Sequence, residues 1–526
     1  MPHVPVMDRP APASSQSTQG TPPGEDSPPG EHSAPAAPAV ARRALFGFGA
    51  LAAAWSSSKA IATPPRIPAD VEPNSLLVRL VSRLTMGLTT EEHALANALG
   101  YEGYLEYHLN HSAIPDAAMD TMLADQVRFS TLTMTYEQLL QIAAGQAANE
   151  CIEAAVFRNV FSKRQFFERM VEFWTDHFNI DISGERASRL KPIDDRDVIR
   201  PNALGNFRTL LDASAHSPAM LYYLNNDISV AGNPNENYAR ELLELHTMGA
   251  DGGYSQQDVA EVARCFTGWT IWRDASGAAA GTFRYNQTAH DTTQKIVLGH
   301  VIPARTAAAG IQDGLDVLNI LLDHPSTANY VSKKLCSWLL GRNTPQATIN
   351  AVAAVYSSSG GDIKSMIREA LSPNNLAAAE MKFKRPWHLF INCMRVVPTT
   401  ITNTSQFRSR LITAGQPRFG WPTPDGYPDH VDYWVGNVMP RWNFGADLMN
   451  ANLPIGGISV NTTGYFAGLT TAPQVVGRVN DALEGGEMPQ SERTLLENYL
   501  QPTPTSVTQQ REALGLAMAS PSFQWY

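Results

Sequence analysis

The chain has 526 residues, 43% of them hydrophobic and 17% charged, with a formal net charge of -10. That balance describes a folded protein with a large core and excludes a chain disordered throughout. The acidic charge and the lack of any Lys/Arg-rich patch exclude a broad nucleic-acid surface, so no nucleic-acid partner is expected. Cys151, Cys265, Cys336 and Cys393 form no CxxC pair, which excludes a zinc ribbon and a disulfide-dense scaffold; they are expected as small buried side chains.

Residues 1–40 are rich in Pro, Ala, Ser and Gly without an apolar period, and are expected to be disordered. Residues 41–62 begin with Arg42 and Arg43, continue with an apolar run of roughly a dozen residues and end in Ala60-Ile61-Ala62, a small-x-small cleavage pattern. The expectation is a twin-arginine-like signal peptide, cut after about Ala62, although Ala41 and Leu45-Phe46 depart from the usual pattern. An uncleaved anchor is the alternative, but the run is shorter than the roughly 20 residues that span a bilayer. The mature chain is therefore expected in the periplasm or outside the cell, without a transmembrane span.

Residues 72–526 read as a single, mainly α, multi-helical domain. Thr89 or Thr90 caps a helix with acids in its first turn and Gly100 as its stop. From Glu150 to about Asn179 apolar residues recur at helical spacing as one long core-facing helix, and similar patterns follow near 204–226, 314–341, 345–372, 383–396, 439–452, 472–500 and 506–520. Two regions differ. Thr270 to Arg273 and Thr282 to Asn286 suggest an inserted β-hairpin, extended by KIVLGHVI. GQPRFGWPTPDGYPDHVDYW is too rich in Pro and Gly for regular structure and is expected as an ordered, aromatic-rich loop.

The densest polar stretch is NPNENYARELLELHTMG, Asn233 to Gly249. Asn233 is suited to the N-cap, Pro234 to the first helical position, Glu236 to a capping box and Gly249 to the left-handed stop. At about 100° per residue, Tyr238, Leu242 and Leu245 share one face with Ala239, Leu243 and His246, and Glu236, Asn237, Arg240, Glu241 and Glu244 share the other. Carboxylates three residues apart on a helix face can chelate a cation, or can have their proton affinities driven apart for acid and base work. The plainer reading pairs Arg240 with Glu236 and Glu244 on a solvated surface. Ser255 and Asp258 form a further capping box.

The candidate catalytic residues are Glu241, Glu244, Asp291, Asn237 and Arg240, with Asp176 as an alternative across a cleft. His177 and His290 are candidate ligands for a divalent metal, the cofactor such a mechanism would need, although no HExxH-type spacing is present. Trp421, Tyr427 and Trp434 are candidates for stacking on sugar faces, packing onto the core being the simpler role for each. No serine-nucleophile elbow, P-loop or dinucleotide fingerprint occurs.

RLTMGLTTEE, FWTDHFN, SPAMLYYLNN, NPNENYARELLELHTMG, YSQQDVAEVARCFTGWT, HDTTQK with LG after it, HPSTANYVSKKL, KRPWHLF and ASPSFQWY occur in this order. From about residue 80 onward the chain thereby resembles the bacterial domain of unknown function 1800 family, whose activity is not established. The resemblance implies an exported protein, often encoded beside a partner resembling sulfatases and phosphatases, and work on polysaccharide. The expectation is a hydrolase acting on polysaccharide through paired carboxylates, with or without metal; the alternative is a non-enzymatic envelope scaffold or carbohydrate-binding protein.

Overall fold

The computed structural model describes residues 75–273, 279–452 and 455–526, all within Ala62–Tyr526, one of two compact units of the chain. The expected disordered segment and signal peptide lie outside the described residues. The described residues are mainly helical, with three two-stranded antiparallel pairs. No described helix is long and apolar enough to cross a membrane.

Local chemistry explains most boundaries. Thr89 caps the helix Thr90–Leu109 by accepting the Glu92 amide, and Gly100 interrupts it at φ 68° before the chain turns helical again. The helix expected from 150 to 179 is two, Ala144–Phe161 and Gln165–His177. Between them Asp116 accepts hydrogen bonds from the Ser162 hydroxyl and the Lys163 amide, and that amide is one a continuous helix would have needed. The Ser255/Asp258 capping box forms as expected on Gln256–Cys265.

The hairpin pairs Trp269–Ile271 with Phe283–Tyr285. KIVLGHVI does not extend it but folds on itself, Lys295–Val297 against His300–Ile302, because Leu298 and Gly299 both take positive φ, as a tight primed turn requires. A third pair, Thr399–Ile401 with Ile458–Val460, has no clear alternation in sequence. All four cysteines are buried and unpaired.

Helix Gln165–His177 runs through the core with Phe166, Met170, Phe173 and Trp174 buried, each worth about 1.5–3 kcal/mol in apolar burial. Buried polar side chains share the helix, and helix Pro386–Arg395 with its N-cap supplies partners for two of them, His388 for Arg169 and Arg385 for Glu172. Arg385, at the N-cap of that helix, pairs with both Glu172 and Asp176. The Pro- and Gly-rich loop, residues 415–434, is irregular until a turn of helix at Val431–Trp434.

Candidate functional site

The segment Asn233 to Gly249 folds differently from a single capped helix. Asn233 bridges back to Val230, and the Ser229 hydroxyl accepts the Asn235 amide, so the chain is still turning at Asn233 and Pro234. Asn235 is the N-cap, accepting the Asn237 amide, and Glu236 stands at the first helical position, not in a capping box. The α-helix ends at Glu241, and Leu242–Thr247 continues as a π-helix, marked by the Met248 amide reaching the Leu243 carbonyl. Such bulges recur at functional sites because they rotate the following side chains out of the α-helical register. Arg240 accordingly pairs with Glu236 at 3.1 Å and with Gln256, but not with Glu244. Gly249 ends the segment at φ 83°, and a side chain there would strike the ring of Tyr330.

Glu241 and Glu244 are both half-buried, and neither makes a hydrogen bond or ion pair with a described side chain. Partial burial, the adjacent Glu244 charge and Asp425 push the Glu241 carboxyl above its usual range, against the pull of Arg240. Asp425 belongs to the Pro- and Gly-rich loop, and its charge reaches Glu241. Trp421 Nε1 donates to Asp425 at 2.9 Å, and the Thr423 hydroxyl donates to the same oxygen. Asn179 holds the loop through the carbonyls of Trp421 and Thr423, and the Tyr223 hydroxyl donates to the carbonyl of Pro422.

Lys334, on the helix Pro325–Leu340, completes the surroundings. Desolvation lowers its ammonium to about 8, while the charges of Asp176 and Asp425 pull it back up. On the same helix Tyr330 feels Glu244, Asp425 and Glu241, and burial keeps its hydroxyl protonated. The site is thus three carboxylates of mixed burial, one lysine within reach of their field and two tyrosines. Asp425, Lys334, Tyr330, Tyr223 and Asn179 were not among the candidates. Four of these sit in the stretches PAMLYYLNN, ANYVSKKL and FWTDHFN that carry the family resemblance, and that was the available signal.

The other candidates stand elsewhere. Asp291 pairs with Arg264 at 2.8 Å and accepts from Thr293, which holds its carboxyl well below the usual range; none of its interactions reaches Glu241 or Glu244. Asn237 donates to the Leu224 carbonyl, a helix-to-turn tie. His290 is fully engaged between the Thr267 carbonyl at 2.8 Å and Asp313 at 3.2 Å, with Lys295 on the same Asp313 oxygen. His177 donates from Nε2 to the His246 carbonyl at 3.1 Å amid Phe173, Trp174, Phe178 and Phe207. Burial pushes the His177 ring well below its ordinary value and lowers His246 to about 3. The two candidate metal histidines are not brought together, and no group of three His, Cys, Asp or Glu among the described residues could hold a metal ion. Asp176 is held by Arg385, which limits its freedom as an acid or base.

Among the aromatics, Tyr427 and Trp434 are packed inward, the first donating to the Pro417 carbonyl and the second to the Pro428 carbonyl at 2.7 Å. Trp421 remains partly exposed, and Tyr433, 45% exposed, meets it edge to face. The usable aromatic surface is Trp421 with Tyr433.

No curated protein and no solved structure matches the chain. Residues 79–525 match the family described as Protein of unknown function (DUF1800), so the chain belongs to that family.

Proposed function

We propose that this is an exported hydrolase of polysaccharide in which Glu241 is the proton donor and Glu244 or Asp425 the base. The observation that carries the reading is the half-buried Glu241 carboxyl, raised by burial and two neighbouring carboxylates and making no hydrogen bond with a described side chain. Environments that separate the proton affinities of adjacent carboxyls are what acid and base work near neutral pH requires. Glu241 gives its proton to the leaving glycosidic oxygen as the bond to the anomeric carbon breaks. The ionised partner takes a proton from water, whose oxygen bonds to that carbon. Lys334 and the tyrosines supply positive field and hydrogen-bond donors beside the acids, and Trp421 with Tyr433 supplies a stacking face.

Purified mature chain is to be assayed for reducing ends released from a panel of polysaccharides. On a responsive glycan Glu241→Gln is expected to lower kcat by roughly 10²–10⁴-fold with the fold intact. Undiminished turnover would remove Glu241 from the chemistry. A second reading, a non-enzymatic carbohydrate-binding or scaffold protein meeting a sulfatase- or phosphatase-like partner, is favoured by one observation. A cavity of about 520 Å³ is lined by other residues than these carboxylates. That reading predicts no turnover on any glycan, and loss of stability as the main effect of changing Glu241.

A further inference from the structure

A cavity of about 520 Å³ opens where helix Pro325–Leu340 ends, between the strand-like approach to Pro386 and the second half of the Pro- and Gly-rich loop. Its size is that of a small-molecule site, and its lining has two properties. First, its charges are nearly balanced. Lys382 pairs with Asp429 at 2.5 Å, Arg342 faces Asp432 at 3.8 Å, and the carboxylate of Glu380 is taken up by the side-chain amide and backbone N–H of Asn343. A balanced wall does not select a phosphate or a free cation.

Second, the lining has hydrogen-bonding capacity that the protein does not use. The Arg342 guanidinium, 63% exposed, has only the long contact to Asp432 among the described residues. Arg342 donors beside the Asp432 carboxylate acceptors suit hydroxyl groups, each both donor and acceptor. Trp525 is partly exposed beside them, braced edge to face by Phe383 at 5.0 Å and by a backbone bridge between the two. A flat ring next to paired donors and acceptors is the chemistry that recognises a sugar.

The cavity shares its two supports with the carboxylate site. The loop carries Asp425 there and Asp429, His430 and Asp432 here; the helix carries Lys334 there and leads into Arg342 here. We propose that this cavity binds uncharged sugar units of a polysaccharide. The proposal shares the substrate class of the function proposed above but does not depend on hydrolysis.

The test titrates full mature protein, and its Glu241→Gln variant, with cellohexaose, maltohexaose and chitohexaose, against hexagalacturonate and a Gly/Ser hexapeptide. Binding is read by calorimetry and tryptophan fluorescence. At least one uncharged hexasaccharide is expected to bind both proteins equally. Arg342→Ala, at a side chain 63% exposed and so tolerant of change, is expected to weaken it at least about tenfold. Trp525→Ala is expected to do the same, with Trp525→Phe as the folded control. The proposal is overturned if none of the three binds, if only the uronate or the peptide binds, or if Arg342→Ala leaves affinity unchanged. Binding without turnover defeats hydrolysis and leaves the cavity; turnover with binding and KM indifferent to Arg342 and Trp525 defeats the cavity and leaves hydrolysis.

Discussion

Gly426 lies so close to the end of helix Gln165–His177 that a Cβ built on it would overlap the carbonyl oxygen of Asp176. Its φ of 75° is also one that side-chain-bearing residues rarely adopt. Glycine at 426 therefore lets the loop pass this close to Asp176, with Asp425 near enough for its charge to reach Glu241. Gly426→Ala is expected to destabilise the protein by roughly 1–3 kcal/mol and to displace Asp425. Chemical denaturation and proteolysis of the loop check this; an unchanged midpoint with an intact loop would refute the close-contact argument.

Arg385 compensates two acids, Glu172 and Asp176, of which Glu172 is almost wholly buried. Arg385→Ala leaves those charges without their cation, a change that costs about 3–5 kcal/mol in comparable buried pairs. Urea midpoints are expected to fall accordingly. Arg385→Lys should recover only part of the loss, because one ammonium does not reproduce a fork that reaches two carboxylates.

The raised Glu241 carboxyl gives a pH dependence of defined sign. As the proton donor, Glu241 works while protonated, so activity falls as pH rises through its folded pKa. Glu244→Gln removes a neighbouring negative charge, lowers that pKa and is expected to move the alkaline limb of the kcat profile to lower pH. Stability follows the same sign. A raised carboxyl favours the fold most below its unfolded pKa and loses that contribution as pH rises, so Glu241→Gln should raise the Tm at neutral pH and change it least in acid. A Tm gain that grows in acid instead would contradict the assignment.

Asp313 is fully buried between Lys295, His290 and Arg305. Asp313→Asn is expected to lower stability by about 3–5 kcal/mol, since it leaves the buried Lys295 ammonium without its counter-charge. His290→Gln is expected to lower the Tm without altering metal content by elemental analysis, because both ring nitrogens already have protein partners. A stoichiometric metal lost with His290 would overturn the structural role.

Much of the local structure could be read directly. The Thr89 and Ser255 caps, the Gly249 stop, the short hairpin and most helices follow from side chains acting on their own backbone within a few residues. The apolar face of Tyr238, Leu242 and His246 followed from period alone. The errors have a common origin. The N-cap moved to Asn235 because Ser229 and Val230 hold the preceding turn, and the long helix broke where Asp116, from a distant segment, takes the Ser162 hydroxyl and the Lys163 amide. Glu244 escaped Arg240 because packing favoured a π-turn over the α-helical register that the four-residue spacing assumes.

By itself the sequence determined that the chain builds a large helical core, which residues cap its helices, and that Glu241 and Glu244 stand on a polar face. Periodicity and capping act locally, so they are legible one segment at a time. What lies opposite those glutamates was decided only by the tertiary structure. It chose Asp425, Lys334, Tyr330 and Tyr223 over Asp291, His177 and His290, because a loop without regular period is positioned by long-range hydrogen bonds from Asn179 and Tyr223 and by one glycine contact. Neither of these leaves a local pattern in the chain.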